Sequence, residues 1–307
     1  MCAKILLPVP LNFSFAECLW YLDRNYDDCL HHIHDNQLTK LLDLAGTPVL
    51  LQLSGTKHAL EVKLPTGNDH LLPDAARYVR DWLDIDRDIE PFYQLLSQDA
   101  QFAFMAHDFN GLRLIGIPDL FEALCWCVIG QQINLTFAYT LKRRLVEKFG
   151  SSVLFESRTC YAFPTPGQLQ HASHDQLRAM QFSGRKAEYI LHLASLFSYG
   201  EINKAMLEEI SPEEAFSKLI SIRGIGAWTA HYTLMKCLRN ATNIPYGDAG
   251  LNKALHLLKN TSRKPTNKEI DAVFEHYQGW QSYLVIYLWR SLAQEAGRST
   301  LQKNRLE

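Results

Sequence analysis

Three groups of residues have types and spacings that could do chemistry. The first is a lone carboxylate in a turn. Ile244-Pro245-Tyr246-Gly247-Asp248 ends on an acid at the N-cap of an expected helix over Ala249–Leu258. As a cap alone, this Asp contributes about 1 kcal/mol. As a reactive group, it is a carboxylate fixed at a helix start and aimed at whatever lies beside it. The second group is a glycine hairpin, Ile222-Arg223-Gly224-Ile225-Gly226-Ala227. A helix opened by the capping box Ser211-Pro212-Glu213-Glu214 ends near Ile220, and a second is expected from Ala227 to about Leu238. Gly224 and Gly226 permit positive φ and close approach of another backbone, while Ile225 plugs the space between the helices. The first-turn amides of the second helix have no internal acceptor and can hold a phosphate oxygen. The third group is aromatic. Trp228 and Tyr232 lie one turn apart on one helix face, and Trp289 lies on an apolar final helix expected over residues 281–293. Such rings can stack on a base and attract a cation.

Each group has a plainer reading. The hairpin could be an ordinary helical turn, and lone aromatics in helices are usually core. A dinucleotide-binding glycine fingerprint fits less well, because a capped helix precedes the glycines and Thr229 stands where Gly or Ala is needed.

These residues need elements to position them. From residue 118 onward the pattern is helical almost throughout. Residues 118–129 are apolar on all sides, which predicts a buried helix. Ile133, Phe137, Leu141, Leu145 and Phe149 form a stripe every four positions, with Lys142, Arg143, Arg144 and Lys148 off it and Gly150 as a stop. Thr266 and Glu269 make a further capping box. The first hundred residues differ. Short apolar runs at 29–34, 39–44, 49–53 and 59–64, separated by turn residues, predict an antiparallel meander flanked by helices near 15–22 and 74–83. The acidic stretch 81–90 reads as a boundary. Two domains are expected: an α+β domain over 1–98 and a two-lobed helical domain over 99–307, with the hairpin at about 212–238.

Net charge is −2, yet residues 1–107 carry −7 and residues 108–307 carry +5. A polyanion site is therefore expected in the later two-thirds. No apolar run approaches the roughly 18 residues that span a bilayer. The N-terminus has no full apolar segment of a secretory signal. Seven scattered cysteines fit a reduced compartment. Cys125 and Cys127 read as inert thiols of a buried helix. His31-His32-Ile33-His34 could suggest a metal, but no Cys or carboxylate set accompanies it.

From about Gly111 to Arg290 the chain resembles the helix-hairpin-helix DNA glycosylases that carry a Gly/Pro-rich loop and a catalytic Asp. Within them it is most similar to the alkylation-repair branch, DNA-3-methyladenine glycosylase II. The resemblance rests on Gly130-Gln131-Gln132-Ile133, Phe163-Pro164-Thr165-Pro166, Lys186-Ala187-Glu188, the hairpin through Trp228-Thr229-Ala230, Gly247-Asp248, and Trp280-Gln281-Ser282-Tyr283 through Trp289. The N-terminal segment resembles that branch's extra domain more loosely. The implied fold is mainly α, a helix-hairpin-helix glycosylase fold with an N-terminal α+β antiparallel-sheet domain.

The resemblance also implies roles. Asp248 matches the catalytic carboxylate, Trp228, Tyr232 and Trp289 the base pocket, and Gln132 the intercalating position. Arg223, Gly224, Ile225, Gly226 and Thr229 match the DNA-backbone clamp. Trp228 stands where lyase-type relatives hold a nucleophilic lysine, which implies a monofunctional hydrolase. No cysteine follows Cys237, so the iron–sulfur loop of other relatives is absent from this sequence. The partner implied is double-stranded DNA carrying damaged bases. The expectation is a cytoplasmic, nucleoid-associated monomer with no metal and no cofactor beyond a structural monovalent cation that the hairpin could hold. Gln132 in place of an apolar wedge, and Ala249 where an aromatic is common, depart from the nearest relatives and leave lesion range open. Two other readings stand beside this one: a non-catalytic helix-hairpin-helix DNA sensor, and a glycosylase for oxidised or deaminated purines.

Overall fold

The computed structural model describes residues 3–24, 26–260 and 263–303, with only the backbone described over 294–303. The N-terminal part runs β1 (Lys4–Pro8), α1 (Phe15–Leu22), β2 (His32–His34), β3 (Gln37–Leu44), β4 (Thr47–Gly55), β5 (Ala59–Lys63), α2 (Leu72–Trp82), α3 (Glu90–Gln98) and α4 (Phe104–Asp108). The strands form one antiparallel sheet in the order β1-β5-β4-β3-β2. Alternation along β3 and β4 sends Leu38, Leu42, Leu51 and Leu53 into the core.

The helical part follows. It comprises α5 (Leu120–Gly130), α6 (Leu135–Phe149), a hairpin of β6 (Ser152–Phe155) and β7 (Arg158–Tyr161), α7 (Pro166–Leu169), α8 (His174–Ala179), α9 (Gly184–Ser198), α10 (Lys204–Glu208), α11 (Pro212–Ile220), α12 (Ala227–Lys236), α13 (Ala249–Leu258), α14 (Asn267–Phe274) and α15 (Gln281–Lys303). Capping boxes at Ser211/Glu214 and Thr266/Glu269 start α11 and α14 as their sequences predict. The backbone of α15 continues well past the 281–293 expected for the final helix.

Two hydrophobic cores organise the molecule. One joins the sheet, α2 and α3 to α13–α15, with Phe92, Phe109, Tyr283 and Tyr287 at its centre. The other joins α5, α9 and α11. Helix α12 belongs to both: Tyr232 and Met235 face the first core, and Ala230, Leu234 and Cys237 face the second. The hairpin helix therefore lies on the seam, where a groove can form.

Three details depart from the sequence reading. Strand β1 was not expected, and it pairs with the free edge of β5. The β6–β7 hairpin interrupts the helical part and packs Cys160 and Ala162 against Leu41 and Leu50 of the sheet. Lys142, placed off the apolar stripe of α6, is only 6% exposed. Asp28, from the loop after α1, meets its ammonium at 3.2 Å, and Glu122 lies 3.6 Å away. A buried ammonium is tolerated when paired in this way, and a partner about a hundred residues away in sequence leaves no periodic signal.

Candidate active site

Asp248 is held from several directions. The Pro245 carbonyl accepts its amide at 3.0 Å, and left-handed Gly247 (φ 85°) makes that turn. Its carbonyl accepts from the Asn252 amide at 3.0 Å and from Asn252 Nδ2 at 2.7 Å. Its Oδ1 caps α13 by accepting from the Leu251 amide at 2.7 Å. The same oxygen accepts from Trp289 Nε1 at 2.9 Å. Oδ2 has no hydrogen-bond partner among the described residues. With Oδ1 carrying both donors, Oδ2 is left to act on a ligand. Gly250 completes the arrangement, since a Cβ there would stand 3.0 Å from the Trp289 ring and 3.2 Å from Oδ1.

This carboxylate lines an open groove of about 1400 Å³, together with Trp228, Tyr232 and Trp289. The three rings run in series. Trp228 stacks on Tyr232 with centroids 5.2 Å apart, and Tyr232 lies 6.3 Å from Trp289. The structure thus brings together all four pocket residues named from sequence. It also changes the part Trp289 plays, because the indole N–H binds the carboxylate and its orientation is set by that bond. Tyr232 is only 9% exposed and serves as the floor, so Trp228 offers the more open face.

The hairpin continues the same wall, adding Gly226 and Thr229 to the lining beside Trp228 and Tyr232. Gly224 sits at φ 93°, and a Cβ there would come within 2.4 Å of the Tyr189 ring. Gly226 differs from expectation, with φ −99° and ψ 175°, an extended conformation that any residue adopts. What glycine provides at 226 is open space, since nothing lies within 4 Å of a Cβ built there. Gly226 is also the N-cap of α12, and no side chain caps that helix, so its first-turn amides face outward. Ile225 is buried between α11 and α12 as its sequence predicts. Arg223 is 70% exposed and pairs with Glu188 at 2.8 Å, a surface pair readily exchanged for a phosphate. Thr229 is 2% exposed, so only its backbone in the first turn can serve a clamp.

Gln132 stands exposed at the groove's rim in a left-handed conformation (φ 56°), with exposed Leu135 nearby on the same lining. Its neighbour Gln131 has a role that the sequence reading missed. Gln131 Nε2 donates to the Gly224 carbonyl at 2.9 Å, tying the rim loop to the hairpin. Lys186 donates to the Ile129 carbonyl at 2.7 Å and so holds the end of α5 just before that loop. Both residues lay in stretches that carried the family resemblance, which was the available signal. The N-terminal part contributes Trp20, Tyr21, Asp23, Arg24 and Tyr26 to the groove, and none of these was expected from sequence. Below the groove, Lys236 donates to the Tyr21 hydroxyl at 2.8 Å, and burial pulls its ammonium down to about 8. His31 and His32 each meet a backbone carbonyl, of Leu22 and Thr159 respectively, at 3.2 Å.

Fold and site together define a helix-hairpin-helix protein with a carboxylate beside an aromatic groove. The chain belongs to the HhH-GPD superfamily of base excision DNA repair proteins, whose family model matches residues 125–278. Residues 21–124 match the model of the 8-oxoguanine DNA glycosylase N-terminal domain. The chain is 37% identical to a DNA-3-methyladenine glycosylase of Bacillus subtilis over 94% of its own length and 97% of the relative's. It is 28% identical to DNA-3-methyladenine glycosylase 2 of Escherichia coli, over 58% of this chain and 60% of that relative. Among solved structures, the 3-methyladenine DNA-glycosylase of Archaeoglobus fulgidus superposes with a TM-score of 0.82 at 23% identity, covering 94% of this chain and 97% of that one. An 8-oxoguanine glycosylase/lyase of Clostridium acetobutylicum, solved with DNA, gives 0.74 at 17% identity, covering 96% and 98%. These two likenesses concern the fold.

Proposed function

We propose that this protein is a monofunctional DNA glycosylase that hydrolyses the N-glycosidic bond of alkylated purines in double-stranded DNA during base excision repair. The observation that carries this reading is Asp248, anchored through Oδ1 with Oδ2 open, beside the ring series Trp228–Tyr232–Trp289. A DNA sensor needs no carboxylate in that place, where it would repel phosphates.

The target nucleotide leaves the duplex at a cost of a few kcal/mol and enters the groove. Gln132 fills the gap left in the stack. The Gly224–Gly226 hairpin, with the first amides of α12 and Arg223, holds the phosphates and fixes the register. Trp228 stacks on the base over the Tyr232 floor. As the glycosidic bond lengthens, positive charge grows on the sugar, and Asp248 Oδ2 stabilises it and orients the attacking water. An alkylated, cationic purine departs without an acid, so one carboxylate suffices. None of these steps calls on a metal or redox cofactor. A monovalent cation at the hairpin would be structural only. Among the described residues that line the groove there is no lysine, which supports hydrolysis without a Schiff base. The working form is a monomer in the nucleoid-containing cytoplasm. The test is base release from methylated duplex DNA by the purified protein. Free 3-methyladenine or 7-methylguanine over intact strands is expected, and binding without base release would favour the sensor.

A further inference from the structure

Arg24 is a cation in an aromatic setting. It lines the groove alongside Asp248, Trp228 and Trp289, and it also lines the small cavity of about 70 Å³ beneath. Tyr21, Trp126 and Tyr232 share both linings with it, so Arg24 stands in the wall between the two spaces. Its guanidinium carbon lies 4.3 Å from the centre of the Tyr21 ring. That ring is held in place, because Lys236 donates to its hydroxyl at 2.8 Å and to the Ile115 carbonyl. Tyr21, Tyr139 and Tyr232 surround its guanidinium, and Tyr139 is within hydrogen-bonding reach of it. Among the described residues, no carboxylate forms an ion pair with Arg24. Its Nε is out of solvent and has no hydrogen-bond partner.

Arg113, Arg143 and Arg239 also leave an Nε without an acceptor, but only Arg24 does so while lining the groove, where a ligand can bring one. On the glycosylase reading, phosphates track the rim where the hairpin amides lie open. Arg24 is instead set into the aromatic wall, where the extruded base must stack. The planar fork of arginine suits two adjacent acceptors in one plane, or one acceptor shared by two N–H groups. On a 6-oxopurine, O6 is such a shared acceptor, and it is the one that remains when N7 carries a methyl group. We propose that Arg24 is a specificity-determining residue that donates to the 6-oxo edge of the extruded purine, so that 6-oxopurine lesions are favoured over 6-aminopurine lesions. An amino group at C6 would present its own N–H to the fork. This proposal rests on the glycosylase reading above and names the substrate class within it.

7-methylguanine and 3-methyladenine test this cleanly, since both are cationic and they differ in having an oxo or an amino group at C6. Release of each base from the same methylated duplex DNA is measured by chromatography for the wild type and Arg24→Met. The variant is expected to lose 7-methylguanine release by about tenfold or more, the worth of a hydrogen bond that involves a charged group. Its 3-methyladenine release should stay within twofold. Arg24→Lys, which keeps the charge without the fork, should also lower the release ratio and serves if the Met variant does not fold. An equal loss for both bases, with lower thermal stability, would make Arg24 a packing residue and overturn the proposal. Weaker binding to all duplexes with an unchanged ratio would make it a phosphate contact and overturn it equally. A wild type that releases neither base overturns the glycosylase reading itself. An active wild type whose ratio survives Arg24→Met overturns this inference alone.

Discussion

Trp289→Phe separates a ring that packs from a ring that positions the carboxylate. Phenylalanine keeps the aromatic face and most of the volume but removes the N–H that meets Asp248 Oδ1 at 2.9 Å. The Leu251 amide remains on that oxygen at 2.7 Å, so the carboxylate keeps one anchor of two. A hydrogen bond to a charged group contributes about 1.5–3 kcal/mol. If all of it serves to fix Oδ2 toward the reacting sugar, its loss lowers the chemical step by about 10- to 150-fold. Stability should change little, because no large cavity opens. Trp289→Ala, by contrast, should cost about 3–5 kcal/mol of stability. Single-turnover excision of 7-methylguanine, measured beside thermal unfolding, reads both quantities. Trp289→Phe turning over within twofold of wild type would refute the positioning role and leave Trp289 as a packing residue.

The hairpin glycines should behave differently from one another. Gly226→Val has room for its Cβ, so the fold should persist while binding to every duplex weakens alike in a fluorescence titration. A loss confined to lesion-bearing DNA would contradict a backbone clamp. Gly224→Ala should lower the unfolding temperature, because its Cβ would meet Tyr189 at 2.4 Å and the residue sits at φ 93°; an unchanged melt would show that the packing relaxes freely. Borohydride should trap no covalent adduct on abasic DNA, and a robust adduct would mean that some lysine reaches the sugar. Lys142→Met should cost about 3–5 kcal/mol at neutral pH by leaving buried Asp28 unpaired. Burial alone would push Asp28 up, but the Lys142 charge, with His31 and the Leu30 amide, holds its carboxyl below the usual range. A depressed carboxylate stabilises the fold above its unfolded pKa of about 3.9 and loses that contribution as pH falls below it. The gap between wild type and variant in urea unfolding should therefore shrink below pH about 4, and a constant gap would count against the ion pair.

The parts of the fold written in local chemistry were legible. Asp248 as an N-cap, the Ser211 and Thr266 capping boxes, the α11–α12 hairpin and the bounds of α1 and α13 follow from residue type over three or four positions. What escaped depends on partners distant in sequence. Strand β1 is a short run whose pairing with β5 is decided by a sheet edge more than fifty residues away. Lys142 looked like a surface charge because Asp28 cannot be foreseen from the helix that carries Lys142. Arg24, Tyr21 and Lys236 meet only when the N-terminal segment lies against α12. The base-pocket residues were named from family resemblance, since no periodicity tells a stacking aromatic from a core one. The bond that orients Trp289 is visible only in three dimensions. Gly226 was expected to use its backbone freedom, yet what the groove takes from it is the missing side chain.

On the proposed function, Asp248 carries the chemistry and is not merely a cap. Asp248→Asn tests it most directly, because asparagine can still accept from the Leu251 amide and Trp289 Nε1 and is as good an N-cap. Single-turnover release of 7-methylguanine should fall to background, while duplex affinity and thermal unfolding stay near those of the wild type. Base release near the wild-type rate by a folded, DNA-binding Asp248→Asn protein would contradict the assignment.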